Sequence, residues 1–184
     1  MNDDQLSWKE LSRTAEQDYR IFSVYRNQSI HEPSGRVGQF SIVNSANWVN
    51  IIPITDDDEV VFVRQYRHGT AEITLEIPGG LVDPGESYVE AGLRELQEET
   101  GYVAASGKLM GVIDPNPAFL NNHCGLVLAE GVHQLCAQQL DSNEVIDVVR
   151  YPLTDIPNLI LSGQIKHTLV ISAFYMLDRH RAHA

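Results

Sequence analysis

Cysteine is scarce in this chain, basic residues are outnumbered, and long apolar runs are missing. Two cysteines, Cys124 and Cys136, are too few for a disulfide framework and lack the close spacing of a zinc site. Both are read as reduced thiols. Lysine and arginine total 13 against 25 acids, a formal net charge of −12. Such a surface repels nucleic-acid phosphates and anionic lipid, so neither is expected as a partner. No apolar run approaches the ~20 residues that span a bilayer. The start, MNDDQLSWKE, lacks the basic-then-apolar order of a secretory leader, and a cytoplasmic location is expected. There is no internal repeat and no low-complexity tract.

The 184 residues suffice for one domain with an N-terminal arm. Residues 1–17 are polar and expected to be a loose end or short helix. Residues 18–31 are rich in aromatic and β-branched side chains, a strand pattern. A turn at Glu32-Pro33-Ser34-Gly35 follows, and 39–43 can return as the partner strand. Residues 48–55, 59–66 and 72–77 read as further strands, as do 107–114, 123–130 and 144–151. Between them, 115–122 reads as a loop, and the polar stretch 131–143 as a mobile one. Short and long helices are expected at 154–162 and 168–179. Strands on both sides of a central helix, with helices at the end, suggest an α/β sandwich.

The chemistry concentrates in residues 80–102, GLVDPGESYVEAGLRELQEETGY. Ser87 with Glu90 makes a capping box, and Gly101 stands where a helix ends. Val89, Leu93, Leu96 and Thr100 recur as an apolar stripe. Glu95, Glu98 and Glu99 are expected on the opposite side, as one patch with no basic partner among them. Like charges at that spacing cost about 0.2–0.5 kcal/mol each, and the helix dipole disfavours them there. A hard cation such as Mg²⁺ takes just such carboxylate oxygens.

Gly80, Glu86, Arg94-Glu95-Leu96, Glu98-Glu99, Gly101 and Tyr102 match the pattern G-x5-E-x7-R-E-U-x-E-E-x-G-U, where U is bulky and apolar. The chain thereby resembles the Nudix hydrolases. That resemblance implies an α/β/α sandwich with a mixed sheet, here an α+β domain over 47–184 preceded by a β-hairpin arm over 1–46. It implies cleavage of a nucleoside diphosphate linked to another group, with Mg²⁺ (Mn²⁺ as substitute) on Glu95, Glu98, Glu99 and the Gly79 carbonyl. Glu98 is also counted as catalytic. Glu86 and Arg94 are assigned to hold the loop against the helix, and Gly80 and Gly101 to shape it.

Outside that box, Val63-Arg64-Gln65-Tyr66-Arg67 and Leu75-Glu76-Ile77-Pro78-Gly79-Gly80 resemble segments of the ADP-ribose and nucleotide-sugar hydrolases of the family. Pro117, sixteen residues beyond Gly101, is also similar. The resemblance implies an ADP-ribose or nucleoside diphosphate sugar pyrophosphatase that binds its substrate through Arg67 and Pro117. The long, aromatic hairpin over 18–43 is hard to bury within one domain, so a homodimer is expected. The resemblance implies that aromatics on this arm sandwich the base, with Phe22 and Phe40 the best placed and Trp48 in reserve. In similar ADP-ribose hydrolases a glutamate on a loop after the box is the general base, and here Glu144 fits that pattern best, ahead of Asp141 and Asp147. The plainer reading of Glu144 is a solvated strand-end acid. A nucleoside triphosphate hydrolase is the alternative enzyme, and a ligand-sensing domain is the alternative outside catalysis.

Overall fold

A computed structural model describes residues 2–183. The chain divides into two compact units, one of residues 2–46 with 114–122, the other of 47–113 with 123–183.

The first unit is a small antiparallel sheet of β1 (Lys9–Arg13), β2 (Gln17–Asp18), β3 (Phe22–His31) and β4 (Arg36–Ser45). β3 and β4 form a hairpin in continuous register from Phe22↔Ser45 to His31↔Arg36. Its turn closes on Gly35 at φ 68°, a left-handed position that glycine adopts without strain. β1 and β2 cover the other edge of β3. Of the loose end or short helix expected over 1–17, a 3-10 turn forms at Asp3–Gln5, while the strands at Lys9–Arg13 and Gln17–Asp18 correct the rest. KELSR is exposed throughout, so no apolar period announces it. Backbone pairing to β3 makes it a strand. The segment 114–122 joins this unit through Val43 N to Phe119 O at 2.8 Å and Asn121 N to Val43 O at 3.3 Å.

The second unit is built on a seven-stranded mixed sheet. Its strands are β5 (Trp48–Ile54), β6 (Glu59–Arg67), β7 (Glu72–Glu76), β8 (Gly79–Leu81), β10 (Lys108–Ile113), β11 (Cys124–Glu130) and β13 (Ile146–Pro152); a separate short pair joins β9 (Tyr102–Val103) to β12 (His133–Gln134). The order is β10-β11-β5-β6-β13, with β11 parallel to β5. Parallel strands are covered on both faces, and β5 and β11 are accordingly buried almost end to end.

Alternation along these strands sends their side chains into two cores. Ile52, Ile54, Phe62, Cys124 and Leu126 pack with α2 (Ile156–Leu161) and α3 (Thr168–Ala182). Val49, Ile51, Val61, Val127 and Ala129 pack on Ala91 and Leu96 of α1 (Tyr88–Thr100). The result is an α/β/α sandwich. Among the described residues no helix is long and apolar enough to cross a membrane.

One irregularity in the sheet positions the site. β5 and β6 pair only at Ile54↔Val60 and then diverge. β8 takes over the free part of β5, and β7 the free part of β6. The gap between the diverging strands opens as a cavity of about 660 Å³.

Candidate active site

α1 starts and stops where its sequence dictates. Ser87 Oγ accepts from Glu90 N at 3.3 Å, and Glu90 Oε2 accepts from Ser87 N at 2.8 Å. Gly101 closes the helix at φ 75°. A Cβ there would lie 2.1 Å from the Cys136 carbonyl oxygen, so glycine is required for space as well as for backbone.

The three box glutamates do not share one side of α1 opposite its apolar face, which corrects the expectation. Residue Glu99 is only 4% exposed, on the flank of α1 that faces the sheet, and the Glu95 side chain is 13% exposed against 43% for Glu98. Nor do they lack a basic partner. The Arg94 guanidinium donates to Glu95 Oε1 at 2.8 Å and to Glu98 Oε2 at 3.0 Å. Its other edge forks onto Glu86 at 2.9 and 3.0 Å and reaches the Leu81 carbonyl at 3.0 Å. Arg94 thus ties the loop before α1 to two of the acids. The fork holds Glu86 below the usual carboxylate range and raises Arg94.

Glu95 and Glu99, one turn apart, both back onto the glycines of β8. Gly79 N donates to Glu99 Oε2 at 3.0 Å. A Cβ on Gly80 would stand 2.3 Å from Glu95 Oε1, so only glycine leaves that carboxylate its place. Burial, then the charges of Glu95 and Glu144, push Glu99 up to about 8. Burial also raises Glu95, although Arg94 opposes it.

Among the described residues, no three His, Cys, Asp or Glu side chains stand as a metal-holding group in this arrangement. Arg94 engages two of the acids, and Glu99 is turned to the Gly79 amide. The donor chemistry fits a hard divalent cation. Burial raises both Glu95 and Glu99, a cost that a bound cation would relieve, and Glu98, bonded to Arg94, is half-exposed beside them.

The cavity between β5 and β6 is lined by Arg67, Glu76, Gly79, Gly80 and His167, with Trp48 at its edge. Arg67 Nε and one terminal nitrogen each donate to Glu76 at 2.8 Å. Glu76 is 1% exposed, and Thr74 Oγ1 donates to it at 2.6 Å. Burial alone would raise the Glu76 carboxyl, but the fork outweighs burial and leaves it below the usual range. The guanidinium is thereby held rigid with its remaining N–H groups unspent. Strand register sets Glu72 opposite Arg67. Glu72 instead pairs with Lys166, and the buried Glu76 takes the arginine.

Reading the sequence for active groups passed over Glu76, Thr74 and His167. The discoverable signal was an acid inside the apolar strand ITLEI, since a buried charge needs a partner.

Glu144 lies in a turn before β13. Its N–H donates to the Asp141 carbonyl and its Oε2 accepts from Asp141 N, both at 3.0 Å. The charge of Glu144 acts on Glu95, Glu99 and Arg67. Asp147 pairs with Arg64 at 3.1 Å. The preceding stretch 131–143, expected as a mobile loop, is instead strapped to the end of α1 by Leu135, Cys136, Gln138 and Gln139.

The remaining candidates belong to the first unit. Phe22 stacks on Tyr19 at 5.3 Å, and Phe40 meets the Trp8 ring edge-on at 5.3 Å. Phe40 pairs with Asn27 across the hairpin, five residues from Phe22. Cross-strand partners share a face and odd spacings alternate faces. Phe22 and Phe40 therefore point to opposite faces, and one chain cannot place both on the same base. Pro117 is exposed in the 114–122 segment.

A family model described as NUDIX domain matches residues 46–172. The chain is 29% identical over 139 residues to an ADP-ribose pyrophosphatase of Bacillus subtilis (strain 168), covering 75% of each. It is 30% identical over 129 residues to the ADP compounds hydrolase NudE of Escherichia coli (strain K12), covering 70% of this chain and 68% of that one. A crystal structure of an ADP compounds hydrolase superposes with a TM-score of 0.83 at 25% identity, covering 94% and 92% of the two chains.

Proposed function

The chain belongs to the NUDIX domain family, and from that premise we propose that it hydrolyses the diphosphate linkage of ADP-ribose or a related nucleoside diphosphate sugar. The products are a nucleoside monophosphate and a sugar phosphate. The observation that carries this reading is the meeting of two anion-handling devices on one cavity. The Arg67 fork, held by Glu76, lines it. So do Gly79 and Gly80, against which Glu99 and Glu95 are packed. The relatives whose printed names mention ADP-ribose and ADP compounds support the same class.

Each residue has a part in that reaction. Arg67 binds the diphosphate through the edge that Glu76 leaves free. Glu95, Glu98 and Glu99, with the Gly79 carbonyl, are the ligands for a divalent ion, which we take to be Mg²⁺ with Mn²⁺ as substitute. An ion held there would supply positive charge against the diphosphate and lower the pKa of a water. Glu144 accepts the proton of the attacking water as its oxygen bonds to phosphorus and the bridging P–O bond breaks. Arg94 holds Glu95 and Glu98 in place and shares itself with Glu86.

The active form is a homodimer joined through the first unit. Leu11, Ile21, Val37 and Phe40 are exposed there, and the sheet edges of this unit can pair with a second copy. In a dimer the two copies can offer Phe40 and Phe22 to one base, which a single chain cannot. Assay of nucleotide sugars and deoxynucleoside triphosphates side by side with Mg²⁺ tests the substrate class. Preference for the triphosphates would overturn it.

A further inference from the structure

Between the end of α1 and the start of β13, one side chain ties two distant carbonyls together. Gln138 Nε2 donates to the Glu99 carbonyl at 2.6 Å and to the Ile146 carbonyl at 3.1 Å. Both partners are acceptors, so the nitrogen and not the oxygen of the amide must face them, and both its hydrogens are spent. Among natural side chains of this length and charge, only glutamine makes such a bridge.

The backbone around it works the same way. Gln139 N donates to Glu98 O at 2.8 Å, and Leu135 N and Cys136 N donate to Gly101 O at 2.9 and 3.2 Å. The last carbonyls of a helix have no donor within it, and this segment supplies donors for them. Residues 139–145 then leave and return through a neck that Gln138 pins at Ile146. Glu144 sits inside this excursion, in the turn closed with Asp141.

We propose that Gln138 is a positioning residue, which fixes the neck of the 139–145 loop to the end of α1 and so sets the reach of Glu144 toward the water that attacks the diphosphate. This rests on the reading of Glu144 as proton acceptor. The bridge closes the neck of the loop, beside the Gln139 N–H bond to Glu98 O. The metal-ligating helix and the base then move as parts of one frame. Without the bridge the start of the loop keeps its backbone anchors on α1, such as Gln139 N to Glu98 O, but loses the tie between the end of α1 and the return of the loop at Ile146.

The test uses the full chain with ADP-ribose and Mg²⁺. Gln138→Met keeps bulk and loses both donors. Gln138→Glu keeps shape and sets acceptors against carbonyls. For each, kcat and KM are measured alone and combined with Glu144→Gln. Hydrogen exchange is read on the metal-free protein. The expected result is a kcat loss of about tenfold or more with KM little changed, and a double variant no slower than Glu144→Gln alone. Exchange should rise over 139–146 while β5 and β6 stay protected.

Near-native kcat in both Gln138 variants overturns the proposal. So do losses that multiply in the double variant, or exchange that rises across the whole sheet, which marks general destabilisation. A near-native Glu144→Gln would instead remove the reading of Glu144, and this inference with it.

Discussion

Glu99→Gln separates the metal role of this carboxylate from its cost to the fold. At 4% exposure the carboxyl has little solvent to screen it, and its pKa stands at about 8 rather than the usual 4.5. The folded value lies above the unfolded one, so the folded chain holds a proton that the unfolded chain has released. Between pH 4.5 and 8 stability therefore falls as pH rises. The shift corresponds to a ceiling of about 5 kcal/mol above pH 8, and local opening will reduce it to roughly 2–5 kcal/mol. Glutamine can still accept the Gly79 N–H bond and carries no charge. In chelator, the variant should match the wild type near pH 4.5 and be more stable by that amount near pH 9. Urea unfolding at the two pH values reads this directly. Turnover with Mg²⁺ should drop sharply in the same variant. Equal stability at both pH values would refute the electrostatic argument, and near-native turnover would refute the metal assignment.

Other substitutions probe the remaining parts of the site. Glu76→Gln should raise KM at least about tenfold by freeing Arg67 and cost roughly 1–3 kcal/mol, a discounted figure because Arg67 reaches solvent. Because Glu76 lies below the usual range, the wild type keeps this stabilisation above pH 4.5 and loses it as pH falls through the folded value. Acid titration of the two proteins should therefore converge. Gly80→Ala puts a methyl group where the Glu95 carboxylate sits; since a flexible side chain can move aside, melting should change little while activity drops tenfold or more by kinetic assay. Glu144→Gln should lower kcat by roughly 10²–10⁴-fold with KM little changed, and a loss under tenfold would return the proton to a box glutamate. Sedimentation at micromolar concentration should give a dimer, and a monomer would end the shared-base idea.

Much of the fold was legible because its signals are local. The capping box at Ser87, the stop at Gly101 and the apolar runs of β5, β6 and β11 declare themselves in sequence. What stayed hidden depends on pairing across distance. Lys9–Arg13 is exposed throughout, with Leu11 its one apolar residue, and it becomes a strand by pairing with the edge of β3. The Glu95, Glu98 and Glu99 spacing indicates one helix side, yet burial of Glu99 follows from where the sheet lies, and the capture of two acids by Arg94 follows from rotamers. The polar stretch 131–143 looks free in sequence because its anchors are carbonyls of α1, which carry no residue-type signature. Arg67 was readable as an anion binder, and Glu76 stood out as an acid in an apolar strand, whereas their pairing on the cavity wall depends on the register of β6 and β7.

The most direct test of the account is product analysis after incubating the chain with ADP-ribose and Mg²⁺ in ¹⁸O-labelled water. The account predicts AMP and ribose 5-phosphate in equal amounts, with a single ¹⁸O in one of the two phosphates, and no products in chelator. ADP-ribose and every related nucleoside diphosphate sugar left intact with both Mg²⁺ and Mn²⁺, or hydrolysis confined to deoxynucleoside triphosphates, would contradict it.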